Sequence, residues 1–181
     1  MNIFRIRDIE FEIEETAILG TVNTNGSLTW ALDVNTKRKS TPELNWVGPL
    51  ISCKGLVHPA IADRKLAKLE WQDVRAYYND DWHGDIYIYD ADEYHECHIT
   101  LTRIARTVFA LQWKGLCDVN AGEGYGKRVP FYIETHMEFI GIASEIENES
   151  DARETLAKYC DDTNFKWVTL ESGFVFYPIV F

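Results

Sequence analysis

His95-Glu96-Cys97-His98, with His83 upstream, puts imidazole, thiol and carboxylate donors close together, and these are the natural ligands of zinc. The spacing is unhelpful to that chemistry. On a strand His95 and Cys97 share one face and Glu96 and His98 take the other, so two donors converge and the rest must come from a neighbouring strand. The run is not H-E-x-x-H either. One functional reading is therefore a small-ligand- or metal-binding β-domain, an enzyme included, with His95, Cys97, His98 and His136 lining the site. The competing reading is a half-buried strand with Cys97 near the core. Gly122-Glu123-Gly124-Tyr125-Gly126-Lys127 fails the phosphate-loop pattern, and Val129-Pro130 after it announces a strand, not the helix that would hold an anion. It reads as a hairpin loop that presents Tyr125 and Arg128. Cys53, Cys97, Cys117 and Cys160 can each be tried with the five histidines, but no local signature selects a nucleophile and its base. With 29 acids, no catalytic carboxylate pair stands out. No catalytic signature is complete, so the expectation is a non-enzyme without cofactor or metal.

The more specific feature is charge. Between Ala76 and Thr102 there are seven acids, Asp80, Asp81, Asp85, Asp90, Asp92, Glu93 and Glu96, and no Lys or Arg. Tyr77, Tyr78, Trp82, Tyr87, Tyr89 and Tyr94 run through the same stretch. A second stretch, Glu134 to Asp162, holds nine acids against Arg153 and Lys158. Closely spaced carboxylates attract a basic protein at high rate, and Tyr and Trp supply rigid contact area. Asp80, Asp81, Trp82, Asp85, Tyr87, Tyr89, Asp90, Asp92 and Glu93 are thus the expected partner-binding residues. The same acids could be a solvated strand face. Calcium is not indicated, because the D-x-D-x-D-G spacing is absent.

The net charge of −11 argues against direct contact with nucleic acid or an anionic membrane, since both are polyanions. No apolar run is long enough to span a bilayer, and the start, MNIFRIRDIEFEIEE, leads us to expect no secretory leader. Four cysteines without a C-x-x-C pair then suit a reducing cytoplasm.

The elements that must position these residues read mostly as strands in one β-rich domain over 1–181. Ile9, Phe11 and Ile13 alternate with Glu10, Glu12 and Glu14. Asn25-Gly26 predicts a hairpin with a type I′ turn. Residues 44–57 supply a strand broken at Gly48-Pro49. Residues 62–78 fit a strand or a short helix, since Leu66, Leu69, Val74 and Tyr77 partly make a helical stripe. NDDWHGD is a turn, with two strands about Asp90–Glu93 after it. Residues 107–119 and 129–144 are strands, and 165–181 closes as a hairpin about Glu171–Gly173. NESDARETLAKYCDD is the one convincing helix, with Ser150 as its expected cap. The sum is a mainly β, β-rich α+β fold: an antiparallel sandwich or strongly curved sheet with one helix in the C-terminal region.

In its acidity, its β-rich pattern and its interleaved aromatics, as in DDWHGDIYIYDADEY, the chain resembles bacterial toxin-immunity proteins in general character. That resemblance rests on style, with no shared motif, and transfers no residue role. It implies a cytosolic inhibitor that covers a cognate basic toxin, nucleases among them.

Overall fold

Alternating apolar and polar residues dictate most of what forms. In Ile9–Val22, Phe11, Ile13 and Ile18 go inward; in Leu28–Thr36, Trp30, Leu32 and Val34 do the same. A computed structural model describes residues 2–40, 47–60, 62, 64–76, 84–88, 91–119, 126–171 and 173–178. Its strands are β1 (Ile3–Ile6), β2 (Ile9–Val22), β3 (Leu28–Thr36), β4 (Leu50–Val57), β5 (Lys68–Val74), β6 (Gly84–Tyr87), β7 (Ala91–Asp92), β8 (Tyr94–Ala105), β9 (Val108–Val119), β10 (Gly126–Ser144), β11 (Phe165–Leu170) and β12 (Gly173–Pro178). The helix α1 (Glu149–Leu156) lies between β10 and β11.

The strands join in one sheet, ordered β5-β8-β9-β10-β1-β2-β3-β4-β6-β7, with β12 beside the end of β10 and β11 beside β12. The chain is mainly β and β-rich α+β, as the alternation predicts, and the sheet does not close into a barrel. Among the described residues its pairings are antiparallel with one exception. The short β1 is antiparallel to both β2 and β10, so where β1 stops those two long strands meet in parallel, Glu138 opposite Ala17 through Ser144 opposite Val22.

The sheet curves until its two halves face each other over one hydrophobic core. Tyr94 meets Trp113 edge-on at 5.6 Å, and Phe131 and Phe4 extend the aromatic line. Trp30 and Phe109 pack on Phe139 at 6.1 and 5.7 Å. Two side chains bridge the halves at the polar level: Tyr94 Oη donates to Ser52 O (3.2 Å), and Trp71 Nε1 to Val57 O (2.7 Å).

Two local expectations change. The helix cap is Asn148, whose Oδ1 accepts from Asp151 N at 3.1 Å, and Ser150 lies within the helix. The β2–β3 reversal has Gly26 N donating to Asn23 O and only Gly26 at positive φ (+80°), so it is not a type I′ turn. Residues 62–78, read as a strand or a short helix, supply the strand β5 and no helix among those described; Leu66 takes positive φ just before β5 and Asp73 within it. Among the described residues no helix is long and apolar enough to cross a membrane.

Candidate functional site

The side chains that point away from the core across β10, β2, β3, β4 and β6 fall into register. Glu138 stands opposite Ala17, Ala17 opposite Asp33, Asp33 opposite Ser52, and Ser52 opposite Asp85. Cross-strand partners share a face, so this is one transverse row with three carboxylates. The next row runs Glu15, Asn35, Leu50, Tyr87. Between Ile13 and Glu15 the β2–β3 register shifts by a bulge, and Glu14 joins Glu15 on the wet side.

These rows enclose a depression of about 450 Å³ near the point where β2 leaves β1 for β10. Glu14, Glu15, Asp33 and Glu138 line it with Thr16 and Asn35, and among the described residues no Lys or Arg does. Among the described residues none of those four acids makes an ion pair, whereas Glu10, Glu12, Glu70, Glu96 and Glu149 pair with Arg5, Lys37, Lys68, Arg128 and Arg153. Burial raises the Asp33 carboxyl above the usual aspartate value; Lys54 partly offsets this and Asp85 adds to it. Asn35 Oδ1, buried in the wall, has no hydrogen-bond donor among the described residues. The arrangement offers acceptors and negative charge at one concave spot and little else.

The expected contact residues separate into three groups. Tyr87 is 48% exposed and Glu93 is exposed, so both are available. Ile86 and Ile88 are buried on the opposite parity, which is why Tyr87 faces outward. Asp85 and Asp92 are a correction: they are 8% and 3% exposed and offer a partner little surface. β6 pairs with β4, which sets the Asp85 carboxylate against Ser52, whose Oγ donates to it at 3.0 Å. Asp92 lies opposite Ile86, near enough to Cys117 to push that thiol up. Asp80, Asp81, Trp82, Tyr89 and Asp90 lie outside the described residues, as do His83 and the glycine-rich loop through Tyr125.

The histidine–cysteine cluster does not converge. Glu96 takes φ +52°, and the β8–β9 register shifts between His95 and His98. The extra residue places Cys97 with Tyr94 in the core, whereas simple alternation paired Cys97 with His95. His95 instead points toward Asp118 (3.7 Å), and His98 Nε2 meets Glu70 Oε1 (3.0 Å). Among the described residues no three His, Cys, Asp or Glu side chains are grouped to hold a metal ion. All four cysteines are buried, and burial pushes each thiol up to about 12, the reverse of what a nucleophile requires.

Sequence reasoning missed Glu14, Glu15, Asp33, Asn35 and Glu138. The β2–β3 hairpin carried a signal for the first four, because pairing through the reversal brings Glu15 to Asn35 and Ala17 to Asp33. Glu138 had none, since its pairing with β2 joins strands far apart in the chain. No family model matches this chain, and no curated protein or solved structure is significantly similar to it.

Proposed function

We propose that this chain is a non-enzymatic binding protein that neutralises a basic protein partner, in the manner of an immunity protein covering its cognate toxin. One observation carries the reading: four carboxylates without ion-pair partners among the described residues line a concave spot on the outer sheet face. Tyr87 stands exposed at the end of the adjacent row, where an aromatic anchor serves an interface best. The carboxylates would receive Lys or Arg side chains of the partner, or occupy a partner site that normally takes phosphate. Unpaired surface carboxylates raise the rate of encounter with a cationic surface, and Tyr87 would lengthen the life of the complex.

The test is a comparison of captures from lysate of the native source, first at low and then at moderate salt. The baits are the native chain and a Glu15→Gln/Asp33→Asn/Glu138→Gln variant. A single basic protein held by the native chain at moderate salt, and lost with the variant, supports the reading. Retention of the same protein by both removes the depression from the interface. Scattered cationic proteins that all wash off with salt mean the acidity serves only solubility.

A further inference from the structure

His58 lies just after β4, beneath the turn that follows α1. Its backbone N–H donates to Leu28 O (2.9 Å), which fixes the residue beside β3. Trp30 Nε1 donates to His58 Nδ1 at 3.2 Å. On its other side the imidazole meets the Tyr159 ring, 5.3 Å between centroids at 65°. Tyr159 in turn donates its hydroxyl to Gly26 O (2.9 Å) in the β2–β3 reversal. One imidazole thus ties β3, the chain after β4 and the turn after α1 together.

We propose that His58 is a proton-operated latch, holding the turn after α1 against β3 at neutral pH and releasing it on protonation. The hydrogen bond decides the direction. Nδ1 can accept from the indole only while it is unprotonated, so the neutral ring carries its proton on Nε2. The second proton must enter at Nδ1, where it faces the indole N–H, a donor against a donor. Ring, indole and tyrosine must then move apart.

Among the described residues nothing nearby pairs with the imidazolium. On the elements around it the charged or titratable groups are Tyr159, in ring contact, with Lys158 beside it and Asp161, whose carboxylate accepts from Thr163. Arg64 is held by the Ala157 and Cys160 carbonyls, and Glu145 accepts from Thr24 N. Among the described residues none makes an ion pair with His58, and burial alone lowers its affinity for a proton. A group whose folded value is depressed destabilises the contact as pH falls below the ordinary histidine value, about 6.5, toward the folded one.

The experiment joins proton NMR of the histidine Cε1–H signals with amide hydrogen exchange, corrected for intrinsic rates, at neutral pH and at pH about 5.5. We expect His58 to titrate below the ordinary histidine value, about 6.5. Amides of residues 152–160 should lose protection severalfold in acid while those of β9 and β10 keep theirs. Trp30→Phe removes the competing donor and should raise the His58 midpoint toward the ordinary histidine value. His58→Asn keeps an acceptor at the Nδ1 position without a titrating proton, so protection of 152–160 should become independent of pH. The proposal is overturned if His58 titrates at or above the ordinary histidine value, or if acid lowers protection equally across β9. The titration of the native chain decides the matter even if either variant folds poorly.

Discussion

Gly84 opens β6, the strand that carries Asp85 and Tyr87, and replacing it with Ala tests how that strand is held. A Cβ there would lie 2.2 Å from Ser52 O, 2.7 Å from Tyr94 Oη and 2.8 Å from Cys53 Cα. Ordinary packing leaves roughly 3.5–4.0 Å between carbon atoms. Two of the three obstacles are backbone atoms of β4, the strand to which β6 is paired, so relief requires the pairing itself to open. The hydrogen bond from Tyr94 Oη to Ser52 O lies in the same spot and would be broken. Overpacking of this kind costs about 1–3 kcal/mol. The φ of +134° adds about 1–3 kcal/mol for any L side chain. A lost buried hydrogen bond adds about 1 kcal/mol. These terms overlap, and we expect Gly84→Ala to lose about 4 kcal/mol in all. For a chain of this length that is a fall in Tm of roughly 10–15 °C.

The structure supplies its own control. Gly173 has nearly the same φ, +130°, and nothing within 4 Å of a built Cβ. Gly173→Ala therefore carries the backbone strain without the collision, and should lose about 1–2 kcal/mol. Urea denaturation of both variants, followed by tryptophan fluorescence, measures the difference. Adding Tyr94→Phe removes one of the three colliding atoms, so a double-mutant cycle of Gly84→Ala with Tyr94→Phe should show a favourable coupling. Equal stability of the Gly84 and Gly173 variants would refute the collision, and with it the described seating of β6 on β4.

Asp33→Asn should raise stability near neutral pH and at the same time slow association with a cationic partner. The raised Asp33 value means the folded state holds its proton longer than the unfolded chain, so stability falls as pH rises from the ordinary aspartate value through the folded one. The substitution should flatten that part of a stability–pH curve measured by urea titration. Tyr87→Ala should mainly speed dissociation from such a partner, with a loss of about 1–2 kcal/mol read from off-rates by surface plasmon resonance. The four thiols should resist an aromatic disulfide reagent in the native state and react together once urea unfolds the chain; rapid native labelling of any one would contradict its burial.

How far the sequence could be read depends on the range of the interaction concerned. Period-2 alternation is local, and it made β2, β3, β9 and the first half of β10 legible. Register is less local. A two-residue turn at Asn25-Gly26 would pair residues whose numbers sum to 51, but the observed pairs, such as Ala17 with Asp33, sum to 50. The slip matters because one residue of shift turns a whole strand face over. Ile18 opposite Leu32 buries both side chains, and a sum of 51 would pair inward with outward residues along the hairpin. The core therefore selects the register, and the reversal conforms with Gly26 alone at positive φ. At Glu96 alternation fails for the opposite reason. One extra residue in β8 resets the parity, and a positive φ is not visible in a run of His, Glu and Cys. Asp85 and Asp92 looked like surface because acids usually are; their burial follows from pairings of β6 with β4 and β7 that no local pattern announces.

The placement of charge also bears on why the acidic face needs a partner to make sense. Elsewhere the sheet matches acids with bases on its surface: Glu10 with Arg5, Glu12 with Lys37, Glu96 with Arg128. At the depression it does the opposite. Glu138, Asp33 and Asp85 share one row, Asp33 is held partly out of water, and the attraction of Lys54 is opposed by the smaller repulsion of Asp85. Burial is the largest of these effects, so replacing Asp33 by Asn would keep the shape and remove the cost of burying a charge, at the loss of the Lys54 attraction. A cation brought to the row would turn the same field into attraction and draw Asp33 back toward its ordinary value, with release of a proton wherever Asp33 is partly protonated. Complex formation with a basic partner should then strengthen as pH rises through the Asp33 titration, and the Asp33→Asn variant should lose that dependence while keeping whatever the other carboxylates supply. Affinity measured across that range by calorimetry in two buffers of different ionisation enthalpy separates the two effects. An identical pH profile for the native chain and the variant would place the partner elsewhere on the surface.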